Sequence, residues 1–397
     1  MPHRLNQKAP HILTLIIMTS FASMGAVIFT PALPEIADYF RISEGQSQLT
    51  MTLFLVGYAI GQLIYGPLAN RFGRKKAFYI GIAVATIGSI VSILSEPLHS
   101  FYALILGRML EALGSSAGLV ISFIIINDYY FPDHARKIIS KMMLAFAVIP
   151  GIATFVGGML VTHFGWLACF YFLLIYGLVL ALPVYRLCET AKTLDVHALE
   201  TRCLIHNYKI AFESPLLRNG AFLFGFVAMT IYIFSAASPI IAIHTLGLSA
   251  QTFGFIGLIP FIGTGLGAIT SSYFAKKYPP LILIQWGRMI QIVAGLALAI
   301  LFYAHIVNLG VLIACGFVFM FGGCIIMSNA SGLATSKSED RANAVAMMNF
   351  ICMSMATLGT LLLALLPETQ TLKLPTLWLA IIIAMAFAYR KVKRYAK

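Results

Sequence analysis

Gly57-Tyr58-Ala59-Ile60-Gly61-Gln62-Leu63-Ile64-Tyr65-Gly66-Pro67-Leu68-Ala69-Asn70-Arg71-Phe72-Gly73-Arg74-Lys75-Lys76 is the stretch that sets the architecture. Its first part closes a long apolar run. Gly57 and Gly61 form a small-xxx-small face that lets a neighbouring helix come close. Gly66 and Pro67 prepare an exit, and a short turn carrying Arg71, Arg74, Lys75 and Lys76 follows. A second apolar run begins at once. A bilayer-spanning helix needs roughly 20 apolar residues, and basic turns between such helices mark the cytoplasmic side.

Working outward, the same pattern fills all 397 residues. The chain is 60% hydrophobic and 10% charged, with a mean hydropathy of +0.89. A soluble chain is nearer a quarter charged. One soluble domain of this size cannot bury so much apolar surface. A cytosolic enzyme, a disordered chain and a nucleic-acid-binding module are excluded. Long continuous runs also exclude an outer-membrane barrel, whose strands are short and alternating. Apolar runs fall at 12–34, 47–69, 77–95, 100–126, 138–161, 166–186, 217–243, 250–274, 280–302, 307–334, 342–366 and 373–390. The fold class is therefore an all-α polytopic membrane protein with twelve transmembrane helices.

The net charge is +13. Placing the N-terminus inside gathers Arg71, Arg74, Lys75, Lys76, Arg136, Lys137, Lys141, Lys276, Lys277, Lys337, Arg341 and the basic tail on inner segments, and leaves Arg41 and Lys373 outside. The positive-inside rule puts both termini in the cytoplasm. The longest polar stretch, 187–216, holds Glu189, Lys192, Asp195, Glu200, Arg202 and Lys209. It divides an N-terminal six-helix bundle, 1–186, from a C-terminal one, 217–397. Its mixed charge suits a surface-lying cytoplasmic linker. A basic turn after the second span recurs after the eighth, at Lys276-Lys277, which suggests duplication. Internal repeats meeting at a central cavity are a common transporter plan. The six cysteines form no CxxC and read as packing residues. No metal cluster, nucleophile–base set or ATP-binding loop is present in the sequence, so neither an enzyme nor a cofactor is expected.

Within the fourth span, Arg108 and Glu111 sit three apart on one face. Ionised groups facing lipid are expensive, so both should face the bundle interior. Two readings stay open: an ion pair that orients the helix, or a proton site in which Glu111 is the carrier and Arg108 its partner. The basic turn Asn70, Arg71, Gly73, Arg74 and Lys75 also has two readings, as a charge anchor or as a gating latch to neighbouring helix ends. In the fifth span, Pro150, Gly157 and Gly158 permit a bend and close packing. Tyr58, Gln62 and Tyr65 share a helical face and are candidate substrate contacts, with Tyr232, Ser235 and Asn329.

The turn Gly66 to Lys75 resembles the loop 2–3 signature of the major facilitator superfamily, Gly-x-Leu-x-Asp-Arg-x-Gly-Arg-Arg/Lys, with Asn70 at the acidic position. Gly107-Arg108-Met109-Leu110-Glu111 and the small residues after it resemble the helix 4 motif of drug/proton antiporters, where Glu111 stands in place of a frequent Gln. Pro31 to Pro34, Ser235 to Pro239, Leu248 to Gly254 and Ser328-Asn329-Ala330 are similar to the Bcr/CflA branch of the drug/proton antiporter-1 group. Many relatives carry Asp in the first span where Val27 aligns, and Gly-Pro where Ala153-Thr154 stands. The resemblance implies a major-facilitator fold and a bacterial inner-membrane, multi-pass transporter. It implies multidrug efflux, hence antibiotic resistance, by proton-coupled antiport of a small amphipathic substrate. It also implies that the proton carboxylate has moved to Glu111. Partners expected are substrate, protons and membrane lipid, without nucleic acid, around a monomer. Proton-coupled uptake or facilitated transport is the alternative, and a non-transporting receptor a more remote one.

Overall fold

The computed structural model describes residues 10–191, 193–196, 198–200, 208–210, 212–336, 341–366 and 370–395. Their long helices are α1 (Ile12–Phe40), α2 (Glu44–Phe72), α3 (Arg74–Leu94), α4 (Phe101–Tyr129), α5 (Pro132–Phe164), α6 (Ala168–Tyr185), α7 (Pro215–Thr245), α8 (Ala250–Phe274), α9 (Pro280–Tyr303), α10 (Leu309–Ala334), α11 (Arg341–Leu365) and α12 (Gln370–Tyr395). Eleven are long and apolar enough to cross a membrane; α5 supplies the shorter apolar stretch Val148–Phe164. Lys192, Arg202 and Lys337, read above as linker or loop charges, lie outside the described residues. So do the side chains of Arg136, Lys137, Lys141 and Arg341.

Local chemistry explains where helices start. Ser43 accepts from the Gln46 amide while the Gln46 side chain accepts from the Ser43 amide, a capping box that opens α2. Ser100, Ser214, Ser249 and Asn308 cap α4, α7, α8 and α10 in the same sense. Gly73 separates α2 from α3 with φ +91°, a conformation that favours glycine.

Several expected helix ends move by three to six residues, and two of them have a clear local cause. The first span was expected to end at residue 34 and runs to Phe40, through a 3₁₀ turn at Thr30–Ala32. Pro34 sits in the first turn of the segment that follows, where its missing N–H costs nothing. The second span, expected to end at residue 69 after Gly66-Pro67, carries Pro67 inside the helix and continues to Phe72. Pro67 cannot donate to the Leu63 carbonyl one turn back. The Tyr208 hydroxyl of the linker donates to that carbonyl instead, at 3.1 Å.

Packing follows two six-helix halves. In the first, α4 lies against α3 and α2, and α1 against α5; in the second, α10 lies against α9 and α8, and α7 against α11 and α12. Glycines bring backbones together. A Cβ on Gly57 would strike the Met109 carbonyl, and one on Gly88 would strike the Glu111 backbone. The halves meet where α2 runs along α11 and α5 crosses α8. These seams exchange places when each helix is replaced by the one six positions away, as a duplicated fold requires.

Among the described residues, the seams are tied most closely at the face away from the linker. Glu44 pairs with His244 there. The Gln251 amide donates to Thr162 Oγ1 at 3.0 Å. Thr52 and Thr360 hydroxyls bond at 3.0 Å, and Gly45 lies on the Ala364 carbonyl. Toward the linker face, Asn349 Nδ2 reaches Gln62 Oε1 only at 3.5 Å.

Candidate functional site

α4 places Arg108 and Glu111 one turn apart and points both inward, at 0% and 1% side-chain exposure. Arg108 Nη1 donates to Glu111 Oε2 at 2.8 Å and Nη2 to the Gly25 carbonyl at 2.6 Å. The guanidinium lies 4.1 Å from the Phe29 ring centre, 4.3 Å from Phe54 and 5.7 Å from Phe170. A desolvated cation–π contact contributes on the order of 2 kcal/mol. Arg108 Nε and Glu111 Oε1 have no hydrogen-bond partner among the described residues. Glu111 Oε1 faces Gly25, where an added Cβ would come within 2.8 Å. Cys169 on α6 packs beside the pair with its Sγ toward the Ile28 carbonyl at 3.5 Å. Chemically, the site is one buried carboxylate and one buried guanidinium, with one carboxylate oxygen unbonded by the described residues.

The basic turn is more densely bonded than its sequence shows. Arg74 Nε donates to Asp128 Oδ2 at 2.8 Å, and Asp128 also accepts from Thr190 Oγ1. The Arg74 and Lys75 amides donate to the two oxygens of Glu189, at 3.0 and 3.1 Å. A carboxylate at a helix N-terminus satisfies free amides and the helix dipole. Lys75 Nζ donates to the Tyr185 carbonyl at 2.6 Å, and Arg71 to the Val196 carbonyl. The Asn70 carbonyl accepts from the Asp195 amide at 3.1 Å. Acidic partners thus come from the end of α4 and the start of the linker, not from position 70. Sequence reasoning read Glu189 only as a linker charge and missed Asp128, whose place just past the fourth span was the available signal.

The candidate substrate residues divide. Tyr58 and Gln62 on α2 are buried against the other half, with Tyr58 beside Tyr232 and Cys352. Ser235 lines a cavity of about 10 Å³ with Thr30, Thr154, Ser238 and Phe261, between α1, α5, α7 and α8. That volume holds roughly one water. Tyr65 turns away toward Gly81 on α3. Asn329 is committed within its own half, donating to Ser271 Oγ at 2.9 Å and the Ile325 carbonyl at 2.8 Å. Neither joins the others. On α5, Gly157 lies on the Ile28 carbonyl of α1, and its neighbour Gly158 on the Ala250 carbonyl of α8. The Pro150 carbonyl accepts from Thr154 Oγ1 at 2.9 Å.

Twelve helices in two halves, meeting along paired seams around polar and aromatic side chains, define a multi-pass membrane transporter. The chain belongs to the Major Facilitator Superfamily, whose family model matches residues 15–360. It is 26% identical over 391 residues to the "Bicyclomycin resistance protein homolog" of Haemophilus influenzae, covering 97% of each chain. It is 26% identical over 322 residues to "Multidrug resistance protein D" of Escherichia coli, covering 81% of this chain and 79% of that one. Its fold is similar to the inward-open xylose transporter XylE of E. coli, with a TM-score of 0.73 at 13% identity over 96% of this chain and 95% of that chain. It is also similar to a bacterial homolog of the human lysosomal transporter Spinster, with a TM-score of 0.72 at 17% identity over 97% and 96%.

Proposed function

We propose that this chain exports amphipathic drugs or small metabolites across the bacterial cytoplasmic membrane in exchange for protons, by alternating access. The observation that carries the reading is the Arg108–Glu111 pair, a buried carboxylate with one oxygen unbonded by the described residues. A proton on Glu111 removes the charge that holds Arg108 and changes what α4 binds. Protonation from outside favours substrate release there, and deprotonation inside resets the carrier. The resistance named for its relatives supports efflux.

In this reading the bundles 1–186 and 217–397 rock about the α2–α11 and α5–α8 seams, joined by the cytoplasmic linker 187–216. Both termini are cytoplasmic. Tyr58, Gln62, Tyr232 and Ser235 contact substrate when the seams part. The turn Asn70 to Lys75 latches the cytoplasmic side, and one chain encloses its own path. Proton-coupled uptake is the second reading; Val27 and Ala153-Thr154, where antiporters carry Asp and Gly-Pro, favour it.

Everted membrane vesicles energised by respiration test the proposal. Exchange predicts that an added phenicol, quinolone or lipophilic cation releases protons from the vesicle interior, and that Glu111→Gln abolishes the release. Release that survives Glu111→Gln removes Glu111 as the proton carrier. Accumulation of labelled compound in right-side-out vesicles, driven by external acid, would replace export by uptake.

A further inference from the structure

We propose that Phe29, Phe54 and Phe170 form an aromatic cage that holds the Arg108 charge while Glu111 is protonated, which makes them positioning residues for proton uptake. The inference rests on the exchange reading above. It starts from a difficulty in that reading. When Glu111 takes a proton on either oxygen, the pair loses its negative member, and the guanidinium keeps its charge in a site with no exposed surface. An unpaired buried cation is strongly unfavourable. Arg108 then keeps only neutral acceptors: the Gly25 carbonyl and, with the proton on the free Oε1, the Oε2 carbonyl oxygen of Glu111.

The rings supply the missing partner. They come from three helices, α1, α2 and α6, and all three side chains are fully buried. Two of them lie 4.1 and 4.3 Å from the guanidinium carbon, the third at 5.7 Å. The face of an aromatic ring is electronegative, and its attraction for a cation grows as water is removed. Leu or Met would fill the same volume without that attraction. The cage acts in both protonation states, but most in the protonated one, where no carboxylate shares the charge. Gly25 leaves room at Glu111 Oε1. Other titratable groups facing the pair are few among the described residues. Cys169 stands on α6, and Glu35 lies further along α1, where it accepts from the Trp166 amide just before α6. α2 presents Phe54, and α3 presents the glycine backbone at Gly88.

The test replaces Phe54 in the full chain by mono-, di- and trifluorophenylalanine, which drain the ring face stepwise at nearly constant shape. The same series at Phe302, buried in the other half, is the control. The readout is the pH dependence of compound-driven proton release in vesicles. The cage predicts that the half-maximal pH moves stepwise toward acid, by about three- to tenfold in proton concentration across the series. Phe54→Leu should match the far end, and the control should stay flat. A flat profile at Phe54, with release still abolished by Glu111→Gln, overturns the cage and leaves exchange standing. Release that survives Glu111→Gln overturns both. A Phe54→Leu chain that fails to fold leaves the fluorinated series as the deciding measurement.

Discussion

α4 and α10 hold corresponding places in the two halves, yet their buried polar groups differ in kind. Both are pressed backbone to backbone against the preceding helix, through Gly88 and Gly107 in one half and Gly287 and Gly322 in the other. α4 then buries a guanidinium and a carboxylate. α10 buries an amide, Asn329, bonded to a serine hydroxyl and a backbone carbonyl. The amide keeps one charge state at every physiological pH; the carboxylate has two. One scaffold, used twice, thus carries a group able to change charge in one half and a neutral counterpart in the other. In the exchange reading proposed above, the difference assigns the proton response of these two helices to α4.

The largest expected effect comes from halving the charged pair. Arg108→Met leaves Glu111 buried alone, and the cost of breaking such a pair is about 3–5 kcal/mol; thermal unfolding in detergent should show a large drop. Arg108→Met with Glu111→Leu makes α4 as neutral as α10. Stability should return close to wild type, while proton release stays lost. A double variant that still released protons would end the distinction between the halves. Next come Gly88→Val and Gly287→Val. Each forces a side chain into a facing backbone, and overpacking costs about 1–3 kcal/mol or more. Equal losses of folded yield would support structural equivalence, unequal losses would refute it. Asn329→Ala should cost about 0.6 kcal/mol and leave the pH profile of release in place; a shifted profile would mean that α10 also takes part. An effect of similar size is expected at Arg74→Gln. Its bond to Asp128 is partly solvated, so the loss is about 1 kcal/mol or less and shrinks in high salt, as paired melting curves at low and high ionic strength will show.

The span pattern was legible because lipid demands long apolar runs, and the described helices follow those runs to within several residues. The Gly57 and Gly61 face was legible for the same reason that it works: spacing alone puts small residues on one side, and they meet Met109 and Ser116 of α4. The inward direction of Arg108 and Glu111 followed from the cost of charge in hydrocarbon. What the sequence could not disclose are meetings between distant segments. Tyr58 and Tyr65 sit seven residues apart on one face, yet one meets α7 and α11 and the other α3. Three of 29 phenylalanines surround Arg108, and nothing local distinguishes them. Asp128 and Glu189 reach the basic turn from 54 and 115 residues away.

Pro67 sets a mechanical limit. By withholding a donor it leaves the Leu63 carbonyl to Tyr208, which splices the connecting cable into α2 well before α7 begins at Pro215. The slack between the bundles is then the short run from Tyr208 to Pro215, with a fully extended reach of roughly 25 Å. While that bond is made, the linker's length by count no longer sets how far the start of α7 can stand from Leu63; the stretch after Tyr208 does, and a bond worth about 1 kcal/mol makes this a latch that opens readily.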